Sequence, residues 1–290
     1  MRKLLYEGNS ILIATQKEGG GPVIIQSSGY TADIKAATNE NWFITQLRTV
    51  PHRDRINLPD PVIFKNNLKL YKELDVTVLK VYLSPRCKSL EDAANELADW
   101  YQKQTEEMTF IGHSKGGLLM AAALEKIKKP TKACLICPTF GTITGDETSM
   151  LERIEKCKSN TKSPFNRLKL NGLKKIIKVT GSRRPVDKDM CSNSGFIKKT
   201  EKNIQELKRH DVTLVTASCP AGRCSLTDSI FTKVGKIFGL NPKYSDGMVE
   251  LKKQKIPALA VRRELNVEAT HPTVLKSSYV ELEVAKLLLK

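Results

Sequence analysis

One serine of the sequence stands in a setting that is typical of a nucleophile. Ser114 lies within Gly112-His113-Ser114-Lys115-Gly116, a G-x-S-x-G pattern between an apolar strand-like run and an apolar helix-like run. On a sharp strand-to-helix turn, the serine hydroxyl stands clear of the sheet, and the two glycines avoid collisions across the turn. The backbone N–H of Lys115 then points to where an oxyanion forms, beside the positive end of the following helix. The pattern therefore predicts acyl-transfer chemistry at Ser114.

The run from Gly112 to Gly117, GHSKGG, resembles the G-H-S-x-G-G turn of lipases and esterases of the α/β-hydrolase superfamily. The resemblance implies the fold of that superfamily and a Ser-His-Asp triad whose acid and base follow the serine in the chain. It implies no metal and no organic cofactor. Lys115 departs from the family, in which this position is often small or apolar. The lysine keeps its own N–H but brings a cation to the mouth of the site.

Position in the chain selects the base among the four histidines. His52 precedes the serine, and His113 lies inside the turn, where it cannot fold back onto the hydroxyl of its neighbour. His210 comes directly before a strand-like run, at the wrong end of a parallel sheet. His271 follows the last predicted strand and precedes the last predicted helix, where the base of this fold is expected. We therefore expect His271 to be the general base. The alternative is that His271 is only a surface histidine that precedes a proline.

Two aspartates between the serine and His271 compete for the role of the acid. Asp246 lies in Ser-Asp-Gly-Met-Val, which resembles the S-D-G-x-V segment that carries the catalytic aspartate of several lipases. Asp228 has the setting of a first-turn helix residue instead. We favour Asp246 over Asp228, and Glu250 and Glu268 are weaker alternatives.

The family resemblance also points to a second oxyanion donor, in the loop after an early strand. Many relatives have H-G-x at this point, and this chain has Ser28-Gly29-Tyr30. The resemblance assigns the donor to the N–H of Tyr30, which would act together with that of Lys115. Because the histidine of the family pattern is missing, Ser28 and Gly29 stay open as alternatives.

Strand and helix patterns alternate along most of the chain, which predicts an α/β fold with a mostly parallel central sheet and helices on both faces. The predicted strands are 10–15, 22–26, 75–83, 108–112, 132–137, 211–216 and 256–262. The predicted helices are 41–50, 62–74, 89–104, 116–129, 226–238 and 274–289.

A polar and weakly periodic segment interrupts this alternation at 141–205. We interpret it as an inserted cap or lid, which divides the α/β-hydrolase core into a first part, 1–140, and a second part, 206–290. The net charge of the whole chain is +17. Residues 151–210 hold 17 Lys or Arg against 6 Asp or Glu, a net charge of +11. Such a surface favours an anionic membrane or another anionic partner, and a solvated basic face without a partner is the alternative.

The seven cysteines show no framework of a small secreted domain. Cys134 and Cys137 form C-x-x-C within a strand-like run, where residues three apart point to opposite faces, so we expect two core cysteines rather than a redox or metal pair. Cys219 and Cys224 lie in a loop and would pair under oxidising conditions. No long apolar stretch follows the basic N-terminus, and no run approaches the roughly 18 residues of a membrane span, so we expect a cytoplasmic protein.

These observations together predict a serine hydrolase that cleaves carboxylic esters of small molecules or lipids through an acyl-enzyme. An acyltransferase or a thioesterase would use the same triad, so the sequence leaves these alternatives open. A non-catalytic lipid-binding protein of the same fold is a further alternative, disfavoured by the intact Ser114, Asp246 and His271. Nucleic-acid binding is suggested by charge alone, since the chain has no aromatic-interleaved basic motif and no zinc-type spacing.

Overall fold

The computed structural model describes residues 4–27, 73–84, 86–141, 147–160, 185–191, 193–219, 240–256, 260–271 and 273–289, with isolated residues at 164, 167, 170–171, 232 and 235–236. Its strands are β1 (Leu4–Glu7), β2 (Ile11–Lys17), β3 (Val23–Ser27), β4 (Thr77–Leu83), β5 (Met108–His113), β6 (Lys132–Ile136), β7 (Asp211–Ser218) and β8 (Arg263–Glu268). They form one eight-stranded sheet in the order β1-β2-β4-β3-β5-β6-β7-β8. β2 runs antiparallel to both of its neighbours, and every other adjacent pair is parallel. The predicted mostly parallel sheet is confirmed.

Helices cover both faces of this sheet. They are α1 (Leu90–Gln102), α2 (Lys115–Leu124), α3 (Glu147–Asn160), α4 (Pro185–Lys188), α5 (Gly195–Asn203) and α6 (Ser278–Leu288). Buried side chains of α1, α2 and α5 share one hydrophobic cluster, and those of α6 belong to a second cluster. Within the described ranges, no helix has both the length and the apolar character that crossing a membrane requires.

The central strands are buried along most of their length because helices lie above and below them. Every residue of β5 is buried, as is typical of a strand in a parallel sheet. β8, at one edge, is mostly exposed and polar. The prediction of a strand at 256–262 was wrong, because the chain places the edge strand just after that apolar run. Ile256 and Ala260 instead pack into the hydrophobic cluster of α1 and α2.

Local sequence signals explain where the helices begin and end. Ser89 caps α1, its hydroxyl accepting a hydrogen bond from the N–H of Asp92 at 3.0 Å. α2 ends at Leu124, earlier than predicted. β1 was not predicted, since a four-residue exposed edge strand leaves little pattern. The helices predicted at 41–50, 62–74 and 226–238 lie wholly or mostly outside the described residues.

Part of the predicted insertion packs against the core. Phe196 and Ile197 of α5 join the hydrophobic cluster of α1 and α2. The carboxylate of Asp189 accepts a hydrogen bond from the N–H of Leu90, the first residue of α1, at 2.7 Å. The boundaries of the segment 141–205, and its role as a cap over the site, stay predictions.

The turn between β5 and α2 is packed too closely for side chains at its two glycines. A Cβ atom on Gly112 would lie 2.6 Å from the carbonyl oxygen of Gly116, and one on Gly116 would lie 2.4 Å from that of Ser27, the last residue of β3. Real Cβ atoms essentially never approach other atoms so closely. The glycines therefore let α2 start directly against the end of β3.

We expect Gly116→Ala to lower the free energy of unfolding by about 1 to 3 kcal/mol, because the backbone of β3 must move to admit the methyl group. Gly195→Ala is the matched control, since Gly195 opens α5 and a Cβ there meets nothing within 4 Å. Urea unfolding of both variants measures the difference. Equal free energies of unfolding for Gly116→Ala and Gly195→Ala would show that the close approach of β3 and α2 does not exclude a side chain at residue 116.

Candidate active site

Ser114 lies at the end of β5 in a strained backbone conformation. Its φ is 58° and its ψ is −126°, and α2 begins at the next residue. A positive φ is uncommon for a residue with a side chain and marks a turn that the surroundings hold in place. The N–H of Ser114 donates to the carbonyl of Ile136 in β6 at 3.0 Å, and its carbonyl accepts the first helical hydrogen bond, from Leu118, at 3.1 Å. The geometry is that of the predicted strand-to-helix turn with the serine at its apex.

Asp246 and His271 form a buried hydrogen-bonded pair. Nδ1 of His271 lies 2.6 Å from Oδ2 of Asp246, and the backbone N–H of His271 donates to the carbonyl of Asp246 at 2.8 Å. Asp246 is fully buried and His271 is 5% exposed. In a neutral imidazole, a proton on Nδ1 leaves Nε2 as the acceptor, which is the tautomer that a general base needs. Nε2 is buried and has no hydrogen-bond partner among the described residues.

The loop that carries Asp246 is shaped to hold its carboxylate. Oδ1 accepts from the N–H groups of Met248 and Val249, at 2.9 and 2.8 Å. Gly247 has a φ of 88°, which glycine adopts without strain, so the chain can turn directly after the aspartate. The fully buried side chain of Gln254 bonds to the carbonyl of Val249 and to both backbone groups of Ala217 in β7. The loop is thereby tied to the carboxyl end of the sheet.

His113 joins the serine turn to His271. Its Nε2 lies 3.0 Å from the carbonyl oxygen of His271, and the two imidazole rings lie 4.8 Å apart between centroids. Burial, reinforced by the nearby His271, lowers the pKa of His113 well below 6.5, and the hydrogen bond to the His271 carbonyl only partly opposes this. His113 is therefore a neutral donor that positions His271. Since Ser114 follows it directly, the predicted nucleophile and base lie in one region of the molecule.

The two predicted oxyanion donors differ in how far the structure describes them. Lys115 is buried and forms the first residue of α2, so its N–H lies in the first turn of a helix, at the positive end of the helix dipole. Tyr30, with its alternatives Ser28 and Gly29, lies outside the described residues. Ser27, the last described residue before these three, lies against the serine turn at Gly116.

Among the described residues, the weaker candidates His210, Glu250 and Glu268 have other partners or positions than this pair. His210 lies at the start of β7, where its Nε2 is 2.9 Å from the carbonyl of Leu124. Glu250 pairs with Lys252, and Glu268 is exposed on β8. His52 and Asp228 lie outside the described residues.

The prediction that Cys134 and Cys137 point to opposite faces was wrong. β6 ends at Ile136, and Cys137 has a φ of 44°, which turns its side chain to the face of Cys134. Both cysteines join the same hydrophobic cluster, as free thiols. Cys224 lies outside the described residues, so its pairing with Cys219 stays a prediction.

The sequence predicts no functional role for His113 or Cys137, although both border the Asp246–His271 pair. Each residue stands at or directly after the carboxyl end of a central parallel strand, where side chains from different strands meet. That position was the available signal for both.

The pH dependence of stability tests the neutral state of His113. The unfolded chain takes up a proton on this histidine near pH 6.5, and the folded chain does so only at much lower pH. The contribution of His113 to the free energy of unfolding is therefore present in full above pH 6.5 and is lost as the pH falls below 6.5.

We expect the unfolding free energy to fall between pH 7.5 and 5.5 more steeply for the natural chain than for His113→Gln, by up to about 1.4 kcal/mol per pH unit. His210, whose pKa burial also lowers, contributes equally to both proteins and cancels from the comparison. Urea unfolding at each pH measures the slopes, and parallel slopes would contradict a neutral His113.

No family model and no curated protein matches this sequence. Solved structures do match: the mature form of the lipase BlEst2 of Bacillus licheniformis aligns at a TM-score of 0.56, with 14% identity over 98% of this chain and 99% of that one. The Pyrococcus furiosus esterase PF2001 aligns at a TM-score of 0.51, with 11% identity over 100% of this chain and 90% of that one. At this identity the likeness concerns the fold alone. Together with the strand order and the serine turn, it shows that the chain has the α/β-hydrolase fold.

Proposed function

We propose that this chain is a serine hydrolase that cleaves carboxylic esters through an acyl-enzyme, with Ser114 as nucleophile, His271 as general base and Asp246 as its orienting acid. One observation carries the proposal: the buried Asp246–His271 pair is hydrogen-bonded directly to His113, the residue before Ser114. A strained serine, an imidazole with an open nitrogen and a buried carboxylate are the components that acyl transfer needs.

In the proposed first half-reaction, Oγ of Ser114 attacks the ester carbonyl while Nε2 of His271 takes the hydroxyl proton. The tetrahedral oxyanion is held by the N–H of Lys115, with the N–H of Tyr30 as the second proposed donor. His271 then gives its proton to the leaving alcohol, and the acyl group stays on Ser114. In the second half-reaction, water replaces the alcohol, so that a carboxylic acid leaves and the serine is restored.

The surroundings of Asp246 explain how the site would stabilise the imidazolium that forms. The carboxylate is fixed by two backbone N–H groups before the reaction begins, so it need not reorient as charge develops on His271. Its burial keeps water from screening the attraction between the two charges. The neutral His113 adds no competing positive charge on the neighbouring face of the ring.

Ser114→Ala should reduce hydrolysis of p-nitrophenyl butyrate by about 10³-fold or more, because the acyl group loses its acceptor atom. Ser278→Ala, at an exposed serine at the start of α6, is the matched control and should keep full activity. A fluorophosphonate probe should label the natural chain on the peptide that contains Ser114. Undiminished turnover by Ser114→Ala, with its fold intact by circular dichroism, would reject the proposal.

Asp246→Asn should keep the fold and lower kcat by about 10²- to 10⁴-fold, because an amide that donates to Nδ1 favours the wrong imidazole tautomer. Asp228→Asn is the control, since Asp228 is the alternative acid of the sequence. Initial rates with p-nitrophenyl butyrate compare the two variants. A large loss in Asp228→Asn together with a normal Asp246→Asn would reassign the acid.

A further inference from the structure

Cys137 places a thiol against the Asp246–His271 pair. It follows the last residue of β6, and its N–H donates to the carbonyl of Val215 in β7 at 2.7 Å, so the backbone is held at the carboxyl edge of the sheet. Cys137 is fully buried, and its thiol is free. The proposed catalytic steps make no use of this sulfur.

Three different metal-ligand atoms meet at this point. The sulfur of Cys137, a carboxylate oxygen of Asp246 and a ring nitrogen of His271 all lie within 4.8 Å of one another. In the described part of the chain, this is the one place where three such groups come so close. Nε2 of His271 is buried without a hydrogen-bond partner among the described residues, so this ring nitrogen is open to a ligand.

We propose that Cys137, Asp246 and His271 form a binding site for a thiophilic divalent cation of the zinc type, and that occupancy reversibly inhibits the enzyme. Thiolate, imidazole and carboxylate are the three protein donors that zinc uses, and three protein ligands leave one position for water. The sulfur distinguishes this site from carboxylate clusters, which suit magnesium or calcium.

Binding requires only small movements of the three side chains. In a tetrahedral zinc site with bonds of about 2.0 to 2.3 Å, neighbouring ligand atoms lie roughly 3.4 to 3.6 Å apart. The sulfur must move inward by at most about 1.4 Å from its 4.8 Å limit, and if Nδ1 is the ligand it must separate from Oδ2 by about 0.8 Å from 2.6 Å. The thiol releases its proton to solvent as the sulfur–metal bond forms, and no oxidation or reduction takes place.

A cation at this site would stop the proposed reaction through His271. Bound to Nε2, the cation takes the lone pair that accepts the serine proton. Bound to Nδ1, it displaces the proton shared with Asp246, which moves to Nε2 and occupies the lone pair there. In either arrangement, the imidazole no longer acts as a general base. The inhibition rests on the proposed function, whereas the binding of the metal does not.

Cobalt(II) tests the binding without any assay of activity, because a cobalt–thiolate bond gives a charge-transfer absorption band in the near ultraviolet. Titration of the natural chain with Co²⁺ should produce this band at one equivalent. Cys137→Ser and Cys137→Ala should lose it, while Cys134→Ser, at an equally buried cysteine within β6, should keep it. Absence of the band from the natural chain, or its persistence in both folded Cys137 variants, would overturn the proposal.

Zinc inhibition tests the consequence. Zn²⁺ should inhibit hydrolysis of p-nitrophenyl butyrate, and EDTA should restore it. Removing even an outer partner of a metal ligand weakens affinity about 10- to 100-fold, so Cys137→Ser should need at least about tenfold more Zn²⁺ for half-inhibition. Equal sensitivity of Cys137→Ser and Cys134→Ser would overturn the proposal. A cobalt band in a protein without ester hydrolysis would instead refute the proposed function and keep the metal site.

Discussion

The backbone of Ser114 has a conformation that costs about 1 to 3 kcal/mol for a residue with a side chain, and the rest of the site depends on its being held there. Two contacts hold it. Gly116 lets α2 start in contact with the end of β3, and the N–H of Ser114 extends the hydrogen bonding between β5 and β6 by one residue.

The Asp246–His271 pair imposes a second requirement, which is that a carboxylate be placed in the dry interior without leaving its oxygens unpaired. Three donors meet that requirement: the N–H groups of Met248 and Val249 and the Nδ1 of His271. A buried carboxylate that lacked them would lose several kcal/mol of hydration without compensation. The tight turn at Gly247 and the bonds of Gln254 are therefore conditions for the pair to exist.

Much of this arrangement could be predicted from the sequence, because each part leaves a local trace. The strand, turn and helix around Ser114 are encoded by consecutive residues, and Gly247 indicates the turn directly after Asp246. The position of β8 could not be predicted, because an edge strand with one buried face reads as polar while the apolar run before it packs into the core. The contact between His113 and His271 spans 158 positions, and no local pattern encodes it.

The side of the sheet to which Cys137 points could not be predicted for a related reason. Period-two alternation holds only while a strand continues, and β6 ends one residue before this cysteine, which adopts a left-handed backbone. Ser114, at the end of the neighbouring strand β5, likewise has a positive φ. Two adjacent parallel strands thus each end in a left-handed residue whose N–H bonds to the next strand, Ser114 to β6 and Cys137 to β7.

The position at which β6 ends restricts which side chain is suitable at residue 137. Its side chain enters the space beside the Asp246–His271 pair, where a hydroxyl would compete for the carboxylate and an alanine would leave a gap. A thiol fills the volume as a small hydrophobic group and is only a weak hydrogen-bond donor, so it leaves the pair undisturbed. The same sulfur is a strong ligand for soft cations. The cysteine that excludes water from the Asp246–His271 pair therefore also makes the site sensitive to thiophilic cations.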